Sequence, residues 1–193
     1  VCSSDLKEYP YMITRISDDR YIIKMENEKP YGMGVFIDIY PYDGLGTTEK
    51  EAVTYGMKGD RLSSLCYQST REHFAIETTT SLFRKIIKYP VFIGSKLIGK
   101  DYFQKKLNQL VKLKEYEDSN YIGCVVWLSG GKKEIFLRKW FDETVMVPFE
   151  KYQFRVPKDY DEVLRHTYGD YMQLPPEKDR IGHHYFKAYR KDE

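Results

Sequence analysis

Residues 34–44 read GVFIDIYPYDG, a run of valine, phenylalanine and isoleucine that is interrupted by one acid, Asp38. Such an apolar run predicts a buried central strand, which Pro41 and Gly44 then end. Burying a carboxylate in a strand costs free energy unless the carboxylate is paired or binds a cation. Two interpretations of Asp38 stay open: a ligand of Mg²⁺ in phosphoryl transfer, or an acceptor of backbone hydrogen bonds from the next turn.

Further strands are indicated on both sides of this run. Residues 9–16 and 20–25 are rich in tyrosine and isoleucine and predict a strand, a turn and a second strand. Residues 121–128, YIGCVVWL, predict another buried strand, and residues 145–156 predict a hairpin. We interpret Asp43 as a turn residue, because aspartate is common in turns that follow a proline.

Two helices are marked by their ends. Thr48 and Glu51 form a T-x-x-E capping box, which predicts that a helix begins after Thr48. Gly56 and Gly59 lie inside this helix, and each weakens it by about 1 kcal/mol. A shorter helix near the C-terminal end should stop at Gly169, since glycine is favoured directly after a last helical turn. Separate runs of strands and helices indicate the α+β class.

The segment 82–114 differs from the rest of the chain in its charge. It holds nine lysines and arginines against one acid, a net charge of +8. Its pattern predicts two helices that are separated at Gly99, with Asp101 capping the second. Pro90 should kink or end the first. The basic residues fit either a solvated helix face or a contact with an anionic membrane surface.

The whole composition is that of a soluble globular domain. The chain has 193 residues, a net charge of only +2, three cysteines and 18 tyrosines. The near-neutral charge argues against a nucleic-acid binder, and no apolar run is long enough for a transmembrane helix. No secretory leader is visible, and the few cysteines suit a reducing compartment. G-x-S-x-G, H-E-x-x-H and G-x-G-x-x-G motifs are all absent.

Near the C-terminal end, Arg180 lies three residues before the adjacent pair His183 and His184. Arginine together with histidine suits the recognition of phosphate oxygens. A solvated basic tail would have the same composition, so both interpretations stay open here.

The first six residues, VCSSDL, are what a common sequencing-library adapter encodes when it is translated. We therefore expect residues 1–6 to be a scar of that adapter and the natural protein to continue upstream of Lys7. Residues 7–193 are then a single domain, and Cys2 carries no meaning for the fold.

Two stretches of the chain resemble one family. GVFIDIYPYDG at 34–44 is similar to the inner-strand motif of the LicD family of phosphotransferases, which is related to fukutin. Residues 149–184, FEKYQFRVPKDYDEVLRHTYGDYMQLPPEKDRIGHH, resemble its C-terminal signature. The resemblance implies a nucleotidyltransferase-type fold with a small mixed sheet flanked by helices. It also implies transfer of phosphocholine or a phospho-polyol from a CDP-activated donor to a sugar of a cell-surface glycan or glycolipid, such as lipopolysaccharide, teichoic acid or capsule polysaccharide.

The same resemblance implies roles for particular residues. Asp38 matches the third acid of a site for Mg²⁺ (or Mn²⁺) and acts as a metal ligand or as the base for the acceptor hydroxyl. The first two acids of the family lie in an upstream Gly-turn motif that this sequence lacks, so the domain is expected to be incomplete at its N-terminus. Arg180, His183 and His184 would bind substrate. The alternative is a non-catalytic domain that binds a glycan or a membrane surface.

These inferences also predict partners and location. The partners are the CDP-activated donor and a sugar or glycolipid acceptor, with no nucleic acid and with a peripheral membrane contact through 82–114. The expected location is the cytoplasm, at the inner membrane surface where that contact forms.

Overall fold

The structure is a computed structural model. It describes residues 9–25, 27–28, 31, 33–74, 82–128, 130–177, 180 and 186–191. Within these residues, four helices and several short strands form an α+β chain, which confirms the predicted class. Because residues 1–8 lie outside the described part, the structure does not bear on the expected adapter scar.

The helices occupy the middle of the chain and one stretch near its end. They are α1 (Glu49–Thr70), α2 (Leu82–Ile98), α3 (Lys100–Val111) and α4 (Tyr160–Tyr168). Two short 3₁₀ turns follow α3, at Gly131–Glu134 and Arg138–Phe141. None of the helices in the described part of the chain combines the length and the apolar character that a membrane span requires.

The helix ends largely follow the predicted signals. The Thr48 hydroxyl accepts a hydrogen bond from the Glu51 amide at 3.3 Å, which confirms the cap of α1. Gly99 has a φ of 83°, a conformation that favours glycine, and it separates α2 from α3 as predicted. The predicted cap at Asp101 is wrong, because this residue lies inside the first turn of α3 and makes no capping bond. Helix α2 also runs on past Pro90 instead of ending there.

The strands pair in four small antiparallel sheets. They are β1 (Thr14–Ser17), β2 (Tyr21–Met25), β3 (Phe36–Ile39), β4 (Asp43–Gly46), β5 (Tyr121–Gly123), β6 (Phe136–Leu137), β7 (Thr144–Phe149), β8 (Tyr152–Pro157) and β9 (Phe186–Arg190). Strand β1 pairs with β3, β2 with β9 and β7 with β8, while β5 lies between β4 and β6 and pairs with both. The described ladders are thus all antiparallel, whereas the family resemblance implies a small mixed sheet. The predicted hairpin is confirmed as β7 and β8.

The prediction of a buried central strand at 34–44 is wrong. Among the described strands β3 has a single neighbour, β1, and its alternate residues Ile37 and Ile39 are 72% and 46% exposed. A two-stranded sheet buries only one face, so an apolar run does not by itself fix burial on both sides. The inner face of this sheet carries Arg15 and Asp38, directly opposite each other in the register.

The core lies between α1, α3 and the segment that follows β5. Only residues 121–123 of the predicted second strand pair as a strand, but the prediction of burial holds for the segment. Its side chains pack with residues of β4 and both helices, and the buried members are Ile13, Leu45, Ala52, Leu107, Leu110, Cys124, Val125, Val126, Leu128 and Ile135. This core holds in place the segment after β5, on which part of the site described below is built.

Candidate functional site

Asp38 is paired with a cation of the neighbouring strand. The Arg15 Nε donates to Asp38 Oδ1 at 2.5 Å, and Arg15 Nη2 lies 3.4 Å from Asp38 Oδ2. The side chains are 8% and 19% exposed. This charged partner offsets the cost of burying the carboxylate in the apolar run, while the role of Asp38 as a metal ligand or base stays a prediction.

Aromatic rings surround the guanidinium of Arg15. Its central carbon lies 3.9 Å from the ring centroid of Phe36, 4.8 Å from that of Tyr11 and 5.5 Å from that of Tyr9. Cation–π attraction is strongest where water is excluded, so these rings hold the guanidinium in place. Through Arg15 they also fix the orientation of the Asp38 carboxylate.

A second buried acid, Glu28, lies beside this group. Its Oε1 accepts hydrogen bonds from the Tyr11 hydroxyl at 3.1 Å and the Tyr67 hydroxyl at 2.9 Å. Burial raises the pKa of Glu28 above its ordinary value, although the hydrogen bond from Tyr11 and the charge of Arg71 oppose that rise. Its Oε2 is buried and has no hydrogen-bond partner among the described residues. Glu28 was not predicted as a site residue, because it belongs to no strand or helix pattern of the sequence.

Tyr40 joins Asp38 to a cavity of about 390 Å³. The Tyr40 hydroxyl donates to Asp38 Oδ2 at 3.4 Å, while the residue also lines the cavity. Burial raises the pKa of Tyr40 to about 12, so the hydroxyl keeps its proton and acts as a donor. The cavity collects residues from four stretches of the chain, and its polar and aromatic members are Tyr40, Tyr42, Trp127, Glu134, Phe136, Thr167 and Tyr168.

Asp43 is not a simple turn residue, so that interpretation is wrong. It is the first residue of β4 and is only partly exposed. The Val125 amide hydrogen-bonds it, but burial is the larger influence and raises the pKa of Asp43 to about 6. Its Oδ2 has no hydrogen-bond partner among the described residues. Burial and the charge of Asp43 raise the pKa of the neighbouring Cys124 to about 12, so this thiol is not a ready nucleophile.

The other predicted site residues are not brought to Asp38 in the described part of the chain. Arg180 is exposed, and its Nε donates to the Pro175 carbonyl at 2.8 Å. His183 and His184 lie outside the described residues. Their predicted role in substrate binding therefore stays a prediction.

Few of the described side chains could act as ligands of Mg²⁺ (or Mn²⁺) at this site. Proteins commonly hold Mg²⁺ by one or two carboxylates together with water and substrate phosphates, and Asp38 supplies one such carboxylate. The described residues contain no group of three histidine, cysteine or acidic side chains that could hold a metal. Asp38 thus supplies one carboxylate, both oxygens of which are paired with Arg15, and its role as a ligand of Mg²⁺ (or Mn²⁺) stays a prediction.

Comparison with known proteins adds one relative. The chain is 31% identical over 186 residues to the lipopolysaccharide cholinephosphotransferase LicD of Haemophilus influenzae, and the alignment covers 95% of this chain and 67% of that protein. No family model matches the chain. No solved structure matches it either.

Proposed function

Since this chain belongs to the LicD family of phosphotransferases, we propose that it transfers a phospho-alcohol from a CDP-activated donor to a sugar of a cell-surface glycan or glycolipid. The observation that carries the proposal is the 31% identity, over 95% of the chain, to an enzyme named for phosphocholine transfer to lipopolysaccharide. That similarity favours an enzyme over the alternative of a non-catalytic binding domain.

The transfer is a substitution at the phosphorus atom next to the alcohol. The acceptor hydroxyl oxygen forms a bond to this phosphorus, the bond to the bridging diphosphate oxygen breaks, and CMP leaves with the electron pair. The acceptor proton passes to a base. Asp38 suits that role, because its carboxylate is held in one orientation by Arg15 and Tyr40. Alternatively, Asp38 is a metal ligand, and bound Mg²⁺ (or Mn²⁺) would then neutralise charge on the diphosphate.

The direct test measures CMP release by the protein as its gene encodes it. We expect release from CDP-choline in the presence of lipopolysaccharide, together with a matching gain of phosphocholine on the acceptor. CDP-ribitol and CDP-glycerol should be tested in parallel, and EDTA followed by Mg²⁺ tests the proposed metal. Absence of CMP release with every CDP-alcohol and every acceptor glycan would contradict the proposal.

A membrane contact through 82–114 is supported by the surface of α2. Leu97 is 84% exposed and Ile86 is 64% exposed, although large apolar side chains are usually covered. Further exposed apolar residues of this helix are Ile87, Val91, Ile93 and Ile98. Exposed bases lie on α2 and α3, at Lys88, Lys96, Lys105 and Lys106. Apolar insertion combined with basic residues suits a peripheral contact with anionic lipid better than a fully solvated helix face does.

Replacing Leu97 by glutamate should weaken this contact without affecting the fold, because the side chain is 84% exposed. We expect Leu97→Glu to lower binding to phosphatidylglycerol vesicles at least about tenfold, since the variant loses an inserted apolar group and adds a repelled charge. Vesicle co-sedimentation measures the effect. Leu174→Glu is the matched control, since Leu174 is 78% exposed and lies outside α2. Equal binding by wild type and Leu97→Glu would refute the contact.

A further inference from the structure

We propose that the cavity beside Asp38 binds a quaternary ammonium group, the choline end of the donor. This inference rests on the proposed function and names the alcohol that the donor carries. The residues that would surround the ammonium group are Tyr40, Tyr42, Trp127, Phe136, Tyr168 and Glu134. Tyr40, Tyr42 and Tyr168 lie in the two stretches that carry the family resemblance, but the motifs there gave these side chains no role.

Aromatic rings form much of the lining of the cavity. Five of the residues that line the cavity are aromatic, and aromatic faces attract a desolvated cation. Tyr42 is held by its neighbours, since its ring centroid lies 5.5 Å from that of Phe136 and 5.4 Å from that of Phe141. Phe136 is itself buried, with 3% exposure. The wall formed by Tyr42 and Phe136 therefore needs little reorganisation when a ligand binds, whereas Tyr168 is 71% exposed.

The charges of the lining residues also favour a cation. Glu134 is a carboxylate, and no lysine or arginine is among the residues that line the cavity. Asp38 adjoins the cavity through Tyr40, and the charge of Asp43 acts on Cys124, another lining residue. His166 is a basic side chain near the cavity, and its ring packs against that of Phe136 with the two centroids 5.7 Å apart. Such a cavity favours a cation and disfavours a phosphate group.

The shape and position of the cavity favour the alcohol of the donor over its other parts. A volume of about 390 Å³ is at the small end of ligand pockets, which span roughly 300–1,000 Å³. A polyol could hydrogen-bond Thr167 and the tyrosine hydroxyls, but it carries no positive charge for Glu134 and the ring faces to attract. The Tyr40 hydroxyl bonds to Asp38, so the occupant would lie next to the carboxylate proposed for transfer.

The test compares choline with 3,3-dimethylbutan-1-ol, which has the same shape but no charge. Binding to this chain is measured by calorimetric titration. We expect choline to bind at least about tenfold more tightly than the neutral alcohol. Tyr168→Leu and Glu134→Gln should each weaken choline binding about fivefold. Tyr160→Leu is the matched control, because Tyr160 lies on the same helix but does not line the cavity.

Several results would overturn the inference. Equal binding of choline and the neutral alcohol would do so, and so would unchanged choline binding in both variants. If Tyr168→Leu weakened CMP binding and left choline binding intact, the cavity would hold the nucleotide base instead. Circular dichroism of each variant separates a lost site from a lost fold.

Failure of this inference is distinguishable from failure of the proposed function. CMP release from CDP-choline that is unaffected by Tyr168→Leu and Glu134→Gln would leave the transferase and overturn the cavity assignment. Conversely, choline binding that depends on both residues, without CMP release from any donor, would leave the cavity and overturn the transferase.

Discussion

Asp38→Asn should reduce CMP release by at least about 100-fold. A base that takes the acceptor proton contributes roughly 10²–10⁴ to rate, and loss of a metal ligand is comparably severe. The amide has the same shape as the carboxylate and can still accept a hydrogen bond from Arg15, so the change mainly removes the negative charge. The measurement is the turnover of CDP-choline by the natural protein at saturating acceptor. Near-normal turnover would refute the role of Asp38.

The structural role of Asp38 must be separated from its chemical role. Arg15 is buried, and a hydrogen bond to a charged group contributes about 2 kcal/mol, so Asp38→Asn should also lower the unfolding temperature. Asp18→Asn is the control, because Asp18 bonds Arg20 at 2.6 Å on the surface near the same sheet. It should keep full turnover. His183→Ala should reduce turnover less than Asp38→Asn does.

Local features of the fold were predictable from the sequence because they depend on a few adjacent residues. The capping hydrogen bond at Thr48, the break at Gly99 and the end of α4 at Gly169 each follow from backbone chemistry within one turn. Gly169 has a φ of 71°, and its amide donates to the Arg165 carbonyl at 2.8 Å. Such signals do not require knowledge of the partner elements.

Strand pairing was not predictable, because it depends on contacts between distant parts of the chain. The residues of β1 and β2 follow one another closely and suggested a strand, a turn and a strand. In the structure β1 pairs with β3, while β2 pairs with β9, so that Met25 lies opposite Phe186. Nothing in an alternating apolar pattern identifies which distant strand offers the matching edge.

The site was only partly predictable, because it too depends on contacts between distant parts of the chain. Asp38 was found because one acid breaks an apolar run, but its partner Arg15 becomes visible only through the register of β1 and β3. The aromatic cavity draws on residues as far apart as Tyr40 and Tyr168. Each of those aromatics looks like an ordinary core or surface residue until the fold brings them together.

Gly59→Ala should destabilise the fold by about 2 kcal/mol or more, although alanine is the better helix former. The sequence suggested that Gly59 merely weakens α1. In the structure an added Cβ would lie 2.1 Å from the Val125 carbonyl oxygen and 2.8 Å from Val125 Cγ1. Val125 is fully buried in the core, so neither the helix nor the segment after β5 can move away without opening the packing.

The matched control for this prediction is Gly94→Ala in α2. An added Cβ at Gly94 meets no atom within 4 Å, so the gain in helix propensity should appear as up to about 1 kcal/mol of added stability. Urea unfolding of both variants measures the two changes. Opposite signs are expected for the same substitution, because at Gly59 the close approach of α1 to Val125 outweighs the propensity. A stabilised Gly59→Ala variant would show that α1 does not approach Val125 so closely, and the core that positions the site would need a different arrangement.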